Sequence, residues 1–353
     1  MSEQITPGSE AAAEPNPTTS ATTVEPPASP VRRLLSGSAG RNLGLVLALV
    51  LIVVVGAITA PDTFTTTSNA LTILRQASII GVISVGMTFV IIAGGIDLSV
   101  GSVMGLASIV ATLAVTQDLA ENFHWIVMVI FALATGLAAG LINGIVIAYG
   151  NVVAFMATLA MLVAARGLAE ILAERRTLTI GSRDFINFFN EDFLGVDILI
   201  WIFALVAVGG WVLLNRTTFG RRTVAIGGNS EASRLAGINV KRHTVWLYAL
   251  AGLTAGIAAV MILGRTTAGT STHGQLYELD AIAAVVVGGT LLVGGRGTIT
   301  GTVLGVLIFA TLTNVFVQNN LSSSVQAVAK GVIIIVAVLL QQRFAKQGGR
   351  SSS

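Results

Sequence analysis

Ten apolar stretches organise this chain, at about residues 43–60, 71–93, 99–116, 125–148, 152–172, 197–214, 244–263, 280–293, 298–317 and 324–341, and no proline interrupts any of them. All but 280–293 reach about 18 residues, enough for a helix to cross the roughly 30 Å hydrocarbon core of a bilayer. Only 10% of the residues are charged, and 54% are hydrophobic. A soluble domain carries about 25% charged residues, so this chain lacks the polar surface that water requires. The expected fold class is therefore an all-α polytopic membrane protein with about ten transmembrane helices and an internal repeat.

The basic residues predict its orientation. With ten spans both termini share one side. That side then holds Arg32, Arg33, Arg41, Arg216, Arg221, Arg222, Arg234, Lys241, Arg242, Arg296, Arg343, Lys346 and Arg350, against Arg75, Arg175, Arg176, Arg183 and Arg265 on the other. Basic residues accumulate in cytoplasmic loops, so both ends are expected in the cytoplasm. Residues 1–42 form an acidic, Pro-rich tail with a basic flank, and six of the seven prolines lie there. Such a composition cannot bury enough apolar surface to offset its ordering entropy, and disorder is expected. The membrane domain would span 43–342, and 343–353 would be a cytoplasmic tail.

After Pro61 there is no proline, so breaks in the helices fall to glycine. The candidates are Gly94, Gly95, Gly101, Gly294, Gly295 and Gly297. Glycine also serves close packing between membrane helices, and that alternative applies to each position. The clusters form an echo. Gly94-Gly95, Gly101, Val103 and Gly105 recur 200 positions later as Gly294-Gly295, Gly301, Val303 and Gly305. Many transporters consist of two related halves with the substrate route between them.

Asp97 is the only acid between Asp62 and Asp118. A carboxylate costs about 2.5–3.5 kcal/mol at the centre of a span, so it must face a cavity or a partner, or lie at the membrane edge. It can cap the helix that starts near Ser99, line a path, or do both. Glu278 and Asp280 stand at the outer start of a span, where they can accept hydrogen bonds from hydroxyls or cap the helix beginning at Ala281. Asn143 and Asn314 lie deep in spans and can bond neighbouring helices or line a pore. With Thr88, these are the polar candidates for a path or gate. Arg166, Glu170 and Glu174 share one helical face, which predicts an ion pair at a span's outer end.

The polar stretch 215–243 carries six basic residues and is expected in the cytoplasm. Asn229 or Ser230 can cap a short helix there, Glu231 suits its first turn, and Gly237 suits its end. A capped helix held between two spans can pass a push into the membrane. Arg234 completes the set.

Three strings carry a family resemblance. They are Gly86-Met87-Thr88-Phe89 running on to Gly94-Gly95-Ile96-Asp97-Leu98-Ser99-Val100-Gly101; Tyr277-Glu278-Leu279-Asp280 running on to Gly288-Gly289-Thr290 and Gly294-Gly295-Arg296-Gly297; and Gly227-Gly228-Asn229-Ser230-Glu231-Ala232-Ser233-Arg234-Leu235-Ala236-Gly237. Together they resemble the ribose-type sugar permeases of ATP-binding cassette importers, over roughly residues 43–342. The resemblance implies a permease subunit in a bacterial cytoplasmic (inner) membrane, not itself an enzyme. It implies a cytoplasmic ATP-binding subunit docking on 215–243, a periplasmic or lipid-anchored sugar-binding protein, a second copy of the chain, and membrane lipid around it.

Other chemistries find no residues. There is no Gly-x-x-x-x-Gly-Lys phosphate loop and no cysteine, and His124, His243 and His273 stand far apart. No cofactor, metal or nucleic acid is expected. One alternative is a stand-alone ion-coupled sugar carrier using Asp97; an intramembrane protease in which Asp97 and Asp280 share a proton is excluded by the expected topology, which places Asp97 toward the inner side and Asp280 toward the outer.

Overall fold

The computed structural model describes residues 38–349. Most of the expected N-terminal tail, with Arg32 and Arg33, lies outside the described residues, as does Arg350. Helix α1 (Ser38–Thr59) leads through the single turn α2 (Pro61–Phe64), started by Pro61, into α3 (Thr67–Ile92). Pro suits a first helical position because its missing N–H has no partner there anyway. Thr66 caps α3 by accepting the Asn69 N–H. After a break come α4 (Val100–Thr112), α5 (Ala114–Asn122), α6 (Ile126–Ala148) and α7 (Ala154–Leu172). Strand β1 (Leu178–Thr179), the amphipathic α8 (Arg183–Asn190) and the hairpin β2 (Asp192–Phe193) with β3 (Val196–Asp197) precede α9 (Ile198–Arg216). Then α10 (Thr218–Gly228) and α11 (Ser230–Leu235) lead into the long α12 (Val240–Thr266). Strand β4 (Ala268–Gly269), α13 (Tyr277–Val287), α14 (Ile299–Gln318) and α15 (Ser323–Gly349) complete the described chain.

Among the described residues seven helices are long and apolar enough to cross a membrane: α1, α3, α6, α7, α9, α12 and α14. The pair α4–α5, bent by 55° at Leu113, makes an eighth if counted as one span. The fold is thus a helical, polytopic membrane protein. Two expected spans are corrected, and a third, 324–341, falls in α15, part of whose side chains lie outside the described residues, and is not among these seven. The stretch 99–116 is not one straight helix, because Leu113 takes a non-helical ψ of 146° between α4 and α5. The stretch 280–293 is not a crossing helix. Helix α13 has 11 residues, about 16 Å at 1.5 Å per residue. It stops where Gly288 and Gly289 admit the turn that follows, Gly289 at φ 90.

Helices α3 and α12 form the buried centre. Lipid gives no hydrophobic drive between helices, so close approach must supply the attraction. Gly136, Gly140 and Gly144 of α6 supply it, lying against Gly252, Gly256 and Val245 of α12. A Cβ on Gly140 would strike the Tyr248 carbonyl and stand 3.0 Å from the Gly252 Cα. At the far end of α12 from α10–α11, β1 pairs antiparallel with β4, Leu178 opposite Gly269. There Trp125 of the α5–α6 link packs edge-on to Phe185 of α8 with centroids 5.9 Å apart.

Gly140→Val is expected to destabilise the chain by about 1–3 kcal/mol, the cost of overpacking a close contact. Gly209→Ala faces open space and is expected to leave it unchanged. Thermal unfolding of both variants in detergent checks this.

Candidate functional site

The first glycine pair ends α3 in mid-protein. Gly94 takes φ 84, and the Gly95 N–H returns to the Val90 carbonyl at 2.9 Å. The chain then runs without helical bonds to α4. Asp97 is 1% exposed and Ser99 equally so. The Ser99 N–H and hydroxyl both donate to Asp97 Oδ1, at 2.8 and 2.6 Å. Asn143 Nδ2 on α6 donates to Ser99 Oγ at 2.9 Å. Asp97 therefore accepts from the residue just ahead of α4, near that helix's positive end, and Asn143 ties the group to α6. The Tyr248 hydroxyl of α12 reaches the Ile96 carbonyl at 3.5 Å. Elements α4, α6 and α12 thus converge on residues 95–99.

The second cluster makes a longer break between α13 and α14. Gly289, Gly294 and Gly295 all take positive φ. Thr298 closes it by capping α14, accepting the Gly301 N–H at 3.1 Å. The two breaks meet. The Gly295 N–H donates to the Ile92 carbonyl at 2.8 Å. A Cβ on Gly294 would stand 3.0 Å from the Gly94 nitrogen and 2.9 Å from the Gly227 carbonyl. Gly227 is the penultimate residue of α10, and a Cβ there would run into the Ile92 carbonyl and come within 2.6 Å of the Gly295 nitrogen.

Segment α10–α11 is therefore in backbone contact with both breaks. Asn229 caps α11 by accepting the Ala232 N–H at 2.9 Å. Ser230 opens the helix. Glu231 and Arg234 pair at 2.6 Å on its exposed face, and the Arg234 guanidinium holds the Glu231 carboxyl below the usual range. Gly237, at φ 84, ends the helix, with the Gly237 and Ile238 N–H groups returning to Arg234 and Ser233. Thr223 of α10 bonds His243 Nε2 of α12 at 2.9 Å, tying the segment to the central helix.

The remaining candidates fall in other places. Thr88 of α3 meets Thr302 of α14, oxygen to oxygen at 2.7 Å. Asn314 of α14 exchanges two amide hydrogen bonds with Asn69 of α3, at 3.0 and 2.8 Å, and Gln318 joins them. Asp280 pairs with Lys330 of α15 at 3.2 Å. Glu278 is 8% exposed, and its Oε2 has no hydrogen-bond partner among the described residues. It faces Gly101 of α4, where a Cβ would collide with it.

Three readings are corrected. Gly101 is not a break, because it lies inside α4 and leaves room for the Gly274 carbonyl and Glu278. The acids do not cap a helix at Ala281, since α13 already starts at Tyr277. Arg166 does not pair with Glu170. It donates to the Ser271 carbonyl and, at 2.9 Å, to the His273 carbonyl, while Glu170 pairs with Arg175 and Glu174 with Arg176. Helix α7 stops at Leu172, and Glu174 at φ 49 has left its face. Asp97 and Asp280 are not a dyad, since each is held by a different partner. Sequence reasoning missed Asn69, Thr302, Lys330 and Gly227 as partners. A lone lysine in the apolar run 324–341 was a signal for the third and the Gly227-Gly228 pair one for the fourth, whereas nothing local marks Asn69 and Thr302.

Residues 69–339 match the family model described as a branched-chain amino acid transport system / permease component. The chain belongs to this family of membrane transport permeases. Within it, the chain is one of the ribose-type sugar permeases. It is 41% identical to the ribose import permease protein of Bacillus subtilis over 86% of this chain and 93% of that one. It is 35% identical to the L-arabinose ABC transporter permease protein of Azospirillum brasilense, over 85% and 87%. With the xylose transport system permease protein of Escherichia coli the identity is 32%, over 83% and 90%. No solved structure matches the chain. It is a multi-pass protein of the bacterial inner membrane.

Asp97→Asn keeps an oxygen acceptor and is expected to insert and unfold like the natural chain. Asp97→Leu strands the Ser99 N–H and hydroxyl, at about 1–3 kcal/mol per buried group. It is expected to lower the unfolding temperature and abolish uptake. Wild-type uptake by Asp97→Leu would remove Asp97 from the site.

Proposed function

We propose that this chain is the membrane-spanning subunit of an ATP-driven importer and forms the path for a monosaccharide, a pentose or hexose. The sugar class follows the relatives, a ribose import permease, an L-arabinose transporter permease and a xylose transport permease. An external binding protein delivers the sugar, and a cytoplasmic ATP-binding subunit supplies the energy. A second copy of the chain completes the pore, and both termini lie in the cytoplasm. The segment α10–α11 is the docking site for the ATPase.

The observation that carries this reading is the contact of Gly227 with Ile92 and Gly295. A push on α10–α11 meets both broken segments with no side chain between. Glu231, Arg234 and Gly237 keep α11 short and stiff, so that motion is passed on rather than absorbed by fraying. At the first break Asp97, Ser99 and Asn143, and beside Gly101 of α4 Glu278, offer hydroxyl-binding oxygens and an amide, suited to a polyol that must also be released. Thr88, Asp280 and Asn314 hold the helices around the path through their partners on α14, α15 and α3.

Adjacent glycines test the route. Gly227→Ala is expected to cut ATP-driven uptake at least tenfold at natural membrane abundance, while Gly228→Ala, which meets open space, stays like wild type. Equal uptake in both would sink the coupling route. The partners are tested by mild-detergent purification with mass spectrometry. An ATP-binding subunit in equal amount, joined by a sugar-binding protein when ligand is present, is the expected result. A chain that arrives alone yet carries sugar in vesicles would overturn it and turn attention to Asp97 as an ion-coupling group.

A further inference from the structure

The seam between α9 and α14 carries an open groove of about 520 Å³ whose floor reaches the core at Ile299. Ala207, Val208 and Trp211 of α9 line one wall, and Ile299, Val303 and Leu304 of α14 the other. Val208 and Trp211 are exposed, although both belong to a crossing helix. In a bilayer such a wall is covered by something apolar.

The chemistry changes at the α10 end of the groove. Arg216, in the last turn of α9, holds its guanidinium 5.5 Å from the centre of the Trp211 ring. Arg296 is exposed just ahead of Thr298, the cap of α14. Arg221 and Arg222 are exposed on α10. No acid occurs between Asp197 and Glu231, and none follows Asp280, so neither wall carries a negative charge against these arginines. A tryptophan of this kind marks the level of lipid headgroups, and clustered arginines at that level attract anionic lipid.

We propose that the groove holds one anionic phospholipid of the adjoining leaflet. An acyl chain runs between Val208 and Val303. The phosphate sits at Arg216, whose planar fork can grip two of its oxygens, with Arg296 at its flank. Trp211 keeps the guanidinium in place and closes the groove beneath the headgroup. The lipid seals the seam between α9 and α14 where the second break opens into α14.

The test uses the full chain, purified in mild detergent, stripped of lipid, and titrated with dioleoyl phosphatidylglycerol or dioleoyl phosphatidylcholine. Native mass spectrometry counts the lipids retained. One phosphatidylglycerol is expected, held at least fivefold more tightly than phosphatidylcholine. Arg216→Gln is expected to weaken it about fivefold, the worth of one basic residue beside an anionic headgroup, with Arg216→Lys retaining most of the affinity. Val303→Trp fills the groove and should abolish retention. Equal retention of both lipids, or retention unchanged by Arg216→Gln and Val303→Trp, overturns the proposal. The chain has no cysteine, so Val208→Cys introduces a single thiol. Rapid disulfide dimerisation of that variant in native membranes would assign the groove to a second copy of the chain and overturn the lipid; its failure to dimerise supports the lipid.

Discussion

A backbone that leaves the helix inside a bilayer loses hydrogen bonds that no water can replace, so such a segment survives only where protein satisfies it. The two glycine-rich breaks of this chain meet, and each helps to satisfy the other. The Ile92 carbonyl, freed where α3 ends, accepts the Gly295 N–H, freed where α13 has ended. That bond brings together residues some 200 positions apart and leaves room for Gly227 alone. The placement of α4 and α14 follows from it, because both helices start a few residues beyond their glycine pair and run away from the same meeting point.

The echo between the two regions extends into those helices. Gly101 and Gly105 of α4 make room for the carbonyls of Gly274 and His273, and Gly301 and Gly305 of α14 make room for those of Gly288 and Ala284. In both cases a glycine and its neighbour one turn on let another backbone lie against the helix. The same pattern thus does the same packing work in two places, with a loop as the partner of α4 and mainly a helix as the partner of α14.

What could be read in the sequence was what acts locally. Apolar length marked the crossing helices, and Asn229 and Gly237 bounded α11 because caps work within one turn. Asp97 stood out because a lone acid in an apolar run needs a reason, and its closest partner, Ser99, is two residues away. Failures came where the outcome was set at a distance. Arg166 lay on a face with Glu170, yet the carbonyls of Ser271 and His273 claimed it. Gly101 looked like its neighbours Gly94 and Gly95, but the approach of Gly274 gave it a different task. Asn314 did stand out as a polar residue able to bond a neighbouring helix, and it does, but its partner Asn69 looked like an ordinary cap-region residue until the fold set the two face to face.

The glycine seam between α6 and α12 also bears on which parts can move. Backbones that touch at Gly136, Gly140, Gly252 and Gly256 have no side chains to re-sort, so this pair can only travel as one post. The stretch 288–298, by contrast, holds few helical bonds and three residues of left-handed backbone. Gly227, in contact with Ile92 and Gly295, therefore stands where a rigid helix pair, tied to α10 through His243, and a sparsely bonded stretch of backbone come together.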